Sequence, residues 1–578
     1  MKLKGLKTRL YNIFFHTHTV AGIVISFALF VIFYAGAFSL FRHDILRWEN
    51  PDARIEVPET VDVDRALVAA MDHYENFAET EVFTIRMPTE ESPFVKFYGA
   101  TYAETEVDEE QAATTEEEAQ DEKVTEIDTT VATAQRETER FAAHINVEDN
   151  YHLIDEKEAE TTIGDTIYHL HYFRQIPAIG IYISGFVALF FLFASITGLM
   201  IHWRNIVSRF YAFVIERKWK QIWSNAHTVL GVIGFPFQVA YAITGAFFGL
   251  TILLLIPSAL VLFEGDTQKI IAVVRPEAAI QVDKDAPKAE HASLQFYYDK
   301  VEKMYPNVAI GNVRAYNHGR EDGYVSFYLD DGRTINGTGS IVYSLVSGEV
   351  LFHSPPSEGG YVTSVMNVIS KLHFANFGGL ALRVIYFILA MITCFMILSG
   401  VLLWQEARNT KKYTDKQKRF HHRVTKFYLA VCLGLFPAVA IIFIANKAVP
   451  MDLAGRVAYV NATFFISWLL LIIAGLFWNN FRKLNRNYLQ IGGIFSLLIP
   501  ITNGIVTGDW VWKTLANAQW YVASVDIFWM ITGLSALLAT RWIQTSQKQV
   551  KVKMQQPKRV KNPSISVESL VVNYDKGK

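Results

Sequence analysis

Long, uncharged apolar runs constrain this chain more than any other feature. They cover Thr19–Phe41, Ala178–Ile201, Thr228–Phe263, Val384–Trp404, Phe427–Asn446, Val457–Asn480, Leu489–Thr507 and Tyr521–Thr540. A helix needs ~20 apolar residues to cross the hydrocarbon core, where each backbone polar group must be satisfied within the segment. The chain is 51% hydrophobic and only 19% charged over 578 residues, which excludes an ordinary soluble enzyme. The seventh run is interrupted by Gly492, Gly493, Pro500 and Gly504. The first lacks a small-residue cleavage site and recurs later in the chain, so it reads as a retained span and not a signal peptide. The expected fold is an α-helical polytopic membrane protein of about eight transmembrane helices.

Lysine and arginine placement orients the spans. "MKLKGLKTR", "RKWK", "ARNTKKYTDKQKRFHHR", "FRKLNR" and "KQVKVKMQQPKR" all fall on one side if the N-terminus is cytoplasmic. The expected layout is a cytoplasmic N-terminus at 1–18, a span at 19–41, a periplasmic module at 42–177, and a span at 178–201. A cytoplasmic loop at 202–227, a span at 228–263, a second periplasmic module at 264–383 and a span at 384–404 follow. A cytoplasmic loop at 405–426, four spans within 427–542 and a cytoplasmic tail at 543–578 complete it. Residues 105–128 are acidic and almost free of apolar side chains, and read as a disordered insertion. The second module combines a helix-like stretch, Ala292–Val308, with strand-like runs "GYVSFYLDDG" and "SIVYSLVSGEVLFH", making a small α+β unit. Val63–Pro88 reads as a degraded counterpart in the first.

An internal repeat organises the first four spans. "HTVAGIVISFALFVIFYAGAF" from His18 and "HTVLGVIGFPFQVAYAITGAF" from His227 align without a gap, with seven of 21 positions identical. His171 precedes Gly198 by 27 residues, and His373 precedes Gly400 by 27. Both second helices then reach a tryptophan, Trp203 and Trp404. The unit is histidine, helix, outer module, histidine, helix, and it occurs twice.

Ten of the 16 histidines flank the first five spans. Imidazole is a common metal ligand and a standard axial ligand of haem. Two like units packed about a pseudo-two-fold axis would bring His18 to His227 near the inner face and His171 to His373 near the outer face. Each pair could hold one b-type haem. No C-x-x-C-H motif exists, so any haem would be bound without a covalent link. Gly22, Gly36, Gly198, Gly231, Gly245 and Gly400 would let helices approach and leave room for a flat macrocycle. His16, His43, His169, His202 and His422 are further candidates. His202, His421 and His422 taken singly also read as interface anchors. His16 and His18 diverge on a helix and would not share one iron. Zinc is the weaker alternative, since cysteine–histidine clusters at zinc spacing are absent.

Among other polar groups, Asp526 near the end of the last span is either functional or simply solvated. Gln238 could bond a neighbouring helix or a propionate. Trp510, Trp512 and Trp520 suit an aromatic belt or a platform for a bulky ligand. No P-loop, dinucleotide fingerprint or nucleophile triad is present. A net charge of −2 gives no sign of a nucleic-acid partner.

These residues resemble the PepSY-associated transmembrane proteins, often called iron-regulated membrane proteins. The resemblance rests on "HTVLGVIGFPFQVAYAITGAF", on the "YP…G.V…YSLVSGEVL" pattern, and on "LHFANFGGLALRVIYFILAMITCFMILSGVLLW". It covers about Leu10–Arg408. It implies a bacterial inner-membrane protein with PepSY-like periplasmic modules. Some members resemble di-haem reductases of ferric siderophores, with membrane-flanking histidines on the haems; that role is carried to His18, His227, His171 and His373. The sequence departs from the family in its acidic insertion and in "YHLIDEKEAE", which replaces an expected turn. The expected function is electron transfer through two haems b to a ferric siderophore or other ferric chelate, from a cytoplasmic-side quinol or flavin donor. The alternatives are a non-enzymatic membrane-anchored scaffold, or a transporter of iron chelates with a cavity built by kinks at Pro236, Pro257, Pro437 and Pro500.

Overall fold

The computed structural model describes residues 7–89, 92–103, 138–155, 162–206, 219–266, 269, 272, 276–332, 334–335, 337–358, 360–451, 453–478 and 480–555. The acidic stretch 105–128 lies outside them. Eight helices are long and apolar enough to cross a membrane, and the chain is a multi-pass membrane protein. They are TM1 (Thr8–Ser39), TM2 (Gly180–His202), TM3 (Trp219–Ile233 and Phe235–Leu262), TM4 (Gly379–Arg408), TM5 (Asp415–Ala448), TM6 (Arg456–Phe477), TM7 (Phe481–Thr507) and TM8 (Trp520–Gln555). TM3 is two helices because Pro236 has no N–H to offer the preceding turn, and the second piece restarts at Phe235. Pro257, Pro437 and Pro500 lie inside continuous helices.

TM1 packs on TM2 and TM4, TM2 on TM3, and the first piece of TM3 on TM4. TM5 packs on TM6 and TM7, and TM7 on TM8. A short helix after TM1, Arg42–Glu49, joins the two groups by packing on TM8.

The two modules, one between TM1 and TM2 and one between TM3 and TM4, contribute to one antiparallel sheet of eight strands, in the order β4-β3-β2-β1-β5-β6-β7-β8. β1 (Phe83–Arg86), β2 (Val95–Tyr102), β3 (Thr138–Asn146) and β4 (His152–Asp155) come from the first module. β5 (Ala309–Tyr316), β6 (Tyr324–Asp330), β7 (Thr338–Ser344) and β8 (Val350–Ser354) come from the second. The expectation of a degraded first module is therefore corrected. It has a helix (Val63–His73) and four strands, matching the helix (Leu294–Met304) and four strands of the second. "HLID" is not a lost turn but β4, paired with β3, and the turn before it uses Asn150 and Tyr151 in the left-handed region. The modules meet where β1 pairs with β5, with Phe83 opposite Ala315 and Ile85 opposite Val313.

Side chains alternate across a strand. Phe83, Ile85, Phe97, Val313, Val325 and Phe327 are buried, and share one core with Leu67, Leu294 and Val301 of the two helices. The two helices cap each other across the seam. Asp64 accepts from the backbone N–H groups of Leu294 (2.9 Å) and Gln295 (3.2 Å), and the Gln295 side chain accepts from Val63 N–H (2.8 Å). Helix N-termini have N–H groups without intrahelical partners and favour negative charge. Asp64→Ala is expected to lower the stability of the outer module by about 1–2 kcal/mol, read as earlier denaturant unfolding of the sheet.

Two histidine pairs stacked along TM1

TM1, which carries His18 about three turns from its start, and the first piece of TM3, which carries His227, bring their rings to 6.0 Å between centroids. His171 ends the helix Thr162–His171, and His373 lies in the last turn of Tyr361–Phe374. Their ring centroids are also 6.0 Å apart. These are the pairs expected from the repeat.

The four rings are held by their Nδ1 atoms. His18 Nδ1 bonds the Ala194 carbonyl at 2.8 Å, His171 Nδ1 the Ile32 carbonyl at 2.8 Å, and His227 Nδ1 the Met396 carbonyl at 2.9 Å. His373 Nδ1 meets Thr244 Oγ1 at 2.9 Å. A carbonyl can only accept, so in three rings Nδ1 carries the proton and Nε2 keeps its lone pair.

Three glycines make this seating possible. A Cβ on Gly198 would lie 3.0 Å from His18 Cε1, on Gly400 2.9 Å from His227 Cε1, and on Gly36 2.7 Å from His171 Nδ1. Each imidazole lies over a glycine and bonds the carbonyl four residues before it. The seating is reciprocal in the first repeat: TM1 seats His171, and TM2 seats the His18 of TM1. The second repeat departs from this at its outer site, where His373 uses Thr244 and Gly245 instead faces Ala188. The sequence marks these glycines as space for a macrocycle; the structure gives three of them to the imidazoles themselves. Gly36→Ala is expected to push His171 off its carbonyl, whereas Gly22→Ala enters open space and should change nothing. Histidine ring resonances in a nuclear magnetic resonance spectrum would separate the two outcomes.

His171 lies over Ile32–Gly36, so the two pairs are roughly 21–27 Å apart along TM1 at ~1.5 Å per residue. Aromatic rings occupy the interval. Phe33 lies 5.4 Å from Phe191, 6.3 Å from Phe237 and 6.1 Å from Tyr241. Tyr241 in turn lies 5.4 Å from the His373 ring and donates its hydroxyl to the His373 carbonyl at 3.0 Å. No sequence signal marked Tyr241 or Thr244. The outer pair borders a largely apolar cavity of about 340 Å³, whose wall includes Phe33, Tyr168, Tyr172 and Phe248.

Ion pairs tie both outer histidine helices in place. Arg42 pairs with Asp165 on the helix of His171. Lys371, two residues before His373, pairs with Asp330 of β6 at 2.9 Å. Glu49 caps the helix of His171, accepting from Thr162 N–H (2.8 Å) and Ile163 N–H (3.2 Å).

The other candidate histidines lie apart from the pairs or beside them. His16 is exposed, edge-on to Phe15. His169 lies among Tyr168 and Tyr172. His202 is the last residue of TM2. His422 stacks on Phe481. His43 lies in the helix Arg42–Glu49 and His144 in β3, opposite Lys96 of β2. Burial, with Lys96, Arg42, Arg86 and Arg47 adding to it, lowers His43 to about 3. Burial, then Lys96 and Arg42, lowers His144 to about 3. Both are neutral in the fold at pH 7, while the unfolded chain takes up their protons near 6.5. Stability therefore falls as pH drops from about 6.5 towards 3. Thermal unfolding followed from pH 7 to 4 should show this slope, and His43→Asn should flatten it.

Asp526 is not solvated. It is fully buried, and accepts from Trp48 Nε1 (2.8 Å) and Asn503 Nδ2 (3.0 Å). Gln238 is buried, with no hydrogen-bond partner for its Nε2 among the described residues. Trp510 stacks on Trp512 at 4.9 Å.

The arrangement can be tested against the group the family resemblance implies. Two imidazole nitrogens each ~2.0–2.1 Å from one metal, with ~1 Å from nitrogen to ring centre, place the ring centres roughly 6 Å apart. Both pairs match that spacing. Among the described residues no three or more His, Cys, Asp or Glu side chains converge as a metal cluster. A bare ion would need such a set, whereas a porphyrin brings its own pyrrole nitrogens and asks the protein only for axial ligands. The spacing of both pairs suits two imidazole ligands on one haem iron, and a cavity adjoins the outer pair.

Fold and site together define a class: a multi-pass membrane protein with two histidine pairs at two levels along TM1, and a sheet shared between two modules. The chain belongs to the family described as the PepSY-associated TM region, whose model matches residues 15–407. That range includes all four paired histidines and ends with TM4. An uncharacterised protein of Pseudomonas aeruginosa is similar, 20% identical over 372 residues that cover 59% of this chain and 86% of its own length.

Proposed function

We propose that the protein carries electrons across the bacterial inner membrane and reduces a ferric siderophore or other ferric chelate on the periplasmic side. The observation that carries this reading is the presence of two histidine pairs, both at 6.0 Å, stacked along one transmembrane helix. His18 with His227 and His171 with His373 would hold two haems b, which when bound supply one-electron chemistry. The chain's own part is positional. Backbone carbonyls of Ala194, Ile32 and Met396 hold the proton on Nδ1 and leave the Nε2 lone pair free. Glycine seats hold the rings without a rotamer search, and the apolar surroundings keep water away. A largely apolar cavity of about 340 Å³ borders the outer pair. Reduction releases iron because Fe(II) binds hard oxygen donors less tightly than Fe(III).

Positive-charge placement supports a cytoplasmic N-terminus and sheet modules in the periplasm. The electron donor on the cytoplasmic side would be a quinol or a flavin partner. The test is a reduced-minus-oxidised absorbance spectrum of haem-replete protein, with haem counted per chain. Two haems b per chain are expected. A colourless protein would sink the proposal and leave the membrane-anchored scaffold as the better reading.

A further inference from the structure

We propose that the pocket between the end of TM4 and the start of TM5 binds a phosphate-bearing anion. The pocket is about 330 Å³, and is lined by Arg408, Lys418, Arg419, Arg423, His421 and His422. The amides of Gln405 and Asn409 also face it. It lies on the side of the molecule where the His18–His227 pair sits, since Trp404 is one turn beyond Gly400, the seat of His227.

Local sequence builds the pocket. Thr414 and Gln417 form a capping box, with Gln417 N–H donating to Thr414 Oγ1 (3.3 Å) and Thr414 N–H donating to Gln417 Oε1 (2.9 Å). That fixes where TM5 begins. Lys418, His421 and His422 then recur at three- and four-residue spacing, as do Arg419 and Arg423, so both sets present along neighbouring helical faces. Arg408 reaches back over Trp404, 4.3 Å from the ring centre.

The charge is unbalanced. Lys418 is 3.6 Å from Asp415, which is 85% exposed. Among the described residues Arg408, Arg419 and Arg423 make no ion pair with a carboxylate. Cations converging on one hollow repel one another, and an oxyanion relieves that repulsion. Arginine forks match phosphate oxygens bidentately. The pocket also has an unmet donor or acceptor: His421 Nδ1 is buried without a hydrogen-bond partner among the described residues. Aromatic rings back it, with Trp404 and Tyr413 at 5.2 Å and 5.5 Å from His421 and Phe481 stacked on His422 at 4.4 Å. A single carboxylate would satisfy one fork; the oxygens and higher charge of a phosphate can engage several of these cations together.

Such a phosphate has two sources: the headgroup of an anionic phospholipid, or a soluble flavin nucleotide. Binding alone is the readout, so the proposal does not rest on haem. Full-length protein in phosphatidylcholine nanodiscs is titrated with flavin mononucleotide and, separately, with riboflavin, by fluorescence. A second arm measures phosphatidylglycerol retained by the protein from mixed nanodiscs, by native mass spectrometry. The expected result is phosphate-dependent binding in at least one arm. Flavin mononucleotide at least tenfold tighter than riboflavin, and displaced by inorganic phosphate, assigns the soluble source. Selective retention of phosphatidylglycerol assigns the lipid. The triple variant Arg408→Gln, Arg419→Gln, Arg423→Gln should lose the binding. The corresponding triple lysine variant, which keeps the charge, loses the forks and checks folding, should bind more weakly than the unaltered protein but more tightly than the glutamine variant. No phosphate preference in either arm, or binding unchanged in the glutamine variant, overturns the proposal.

Discussion

His171→Ala and His373→Ala are each expected to remove the same half of the b-type absorbance, and His18→Ala and His227→Ala the other half. The expectation follows from pairing across the repeat. His171 comes from the first unit and His373 from the second, yet their rings stand 6.0 Å apart. A spectrum that loses a different component with each variant would break the pairing even if the protein binds haem. His16→Ala is the internal control, because His16 is exposed on the same helix as His18 and meets neither partner ring. Its spectrum should match the unaltered protein. The variants should be compared at equal haem supply, with haem per chain measured alongside the spectrum.

Glu49→Ala is expected to be the most damaging single change outside the histidines. Glu49 is 3% exposed and accepts from Thr162 and Ile163 N–H, from the Thr162 hydroxyl and from Asn446, with Arg456 at 3.8 Å. Removing one partner of a buried ionic network leaves the others desolvated without compensation, at ~3–5 kcal/mol. Glu49→Gln keeps an acceptor but loses the charge, and should cost about 1–3 kcal/mol. Thermal unfolding in detergent measures both. A second consequence is selective. Glu49 seats the helix that ends in His171, so the outer-pair signal should weaken before the inner-pair signal does. Equal loss of both signals would show a general folding defect and no positioning role. The network also gives TM5 and TM6 a task, since Asn446 belongs to TM5 and Arg456 to TM6, while Thr166 of the same helix bonds Asn461 of TM6.

The spans were legible because hydropathy and length alone decide them. The histidine pairs were legible because the two repeat units share both wording and spacing, which turns a local motif into a statement about facing residues. The sheet was not. Phe83–Arg86 is a four-residue strand, and its partner β5 begins more than two hundred residues later; nothing local to either segment announces that pairing. "HLID" was misread because a short strand after two left-handed residues looks like a turn that failed. The glycines stand out in the sequence, but a sequence shows that a Cβ is missing and not which side chain lies against the space; at Gly36, Gly198 and Gly400 it is an imidazole. Glu49 and Asp526 look like ordinary polar residues near an interface. Their burial depends on TM5–TM8 folding against the helix Arg42–Glu49, a contact between distant parts of the chain.

The seam between β1 and β5 carries a further meaning. A half-molecule cut between TM2 and TM3 would keep one ring of each pair and would expose β1 as an open edge, ready to pair with another chain. Two such halves would supply each other with both missing rings and the missing strand at once. The single chain is in this sense an internal dimer, with its two-fold interface fused into one polypeptide and then allowed to diverge. Thr244 in place of a glycine seat at the His373 site is where that divergence is visible. Equivalence between the halves is no longer enforced, so the four ring environments are free to differ.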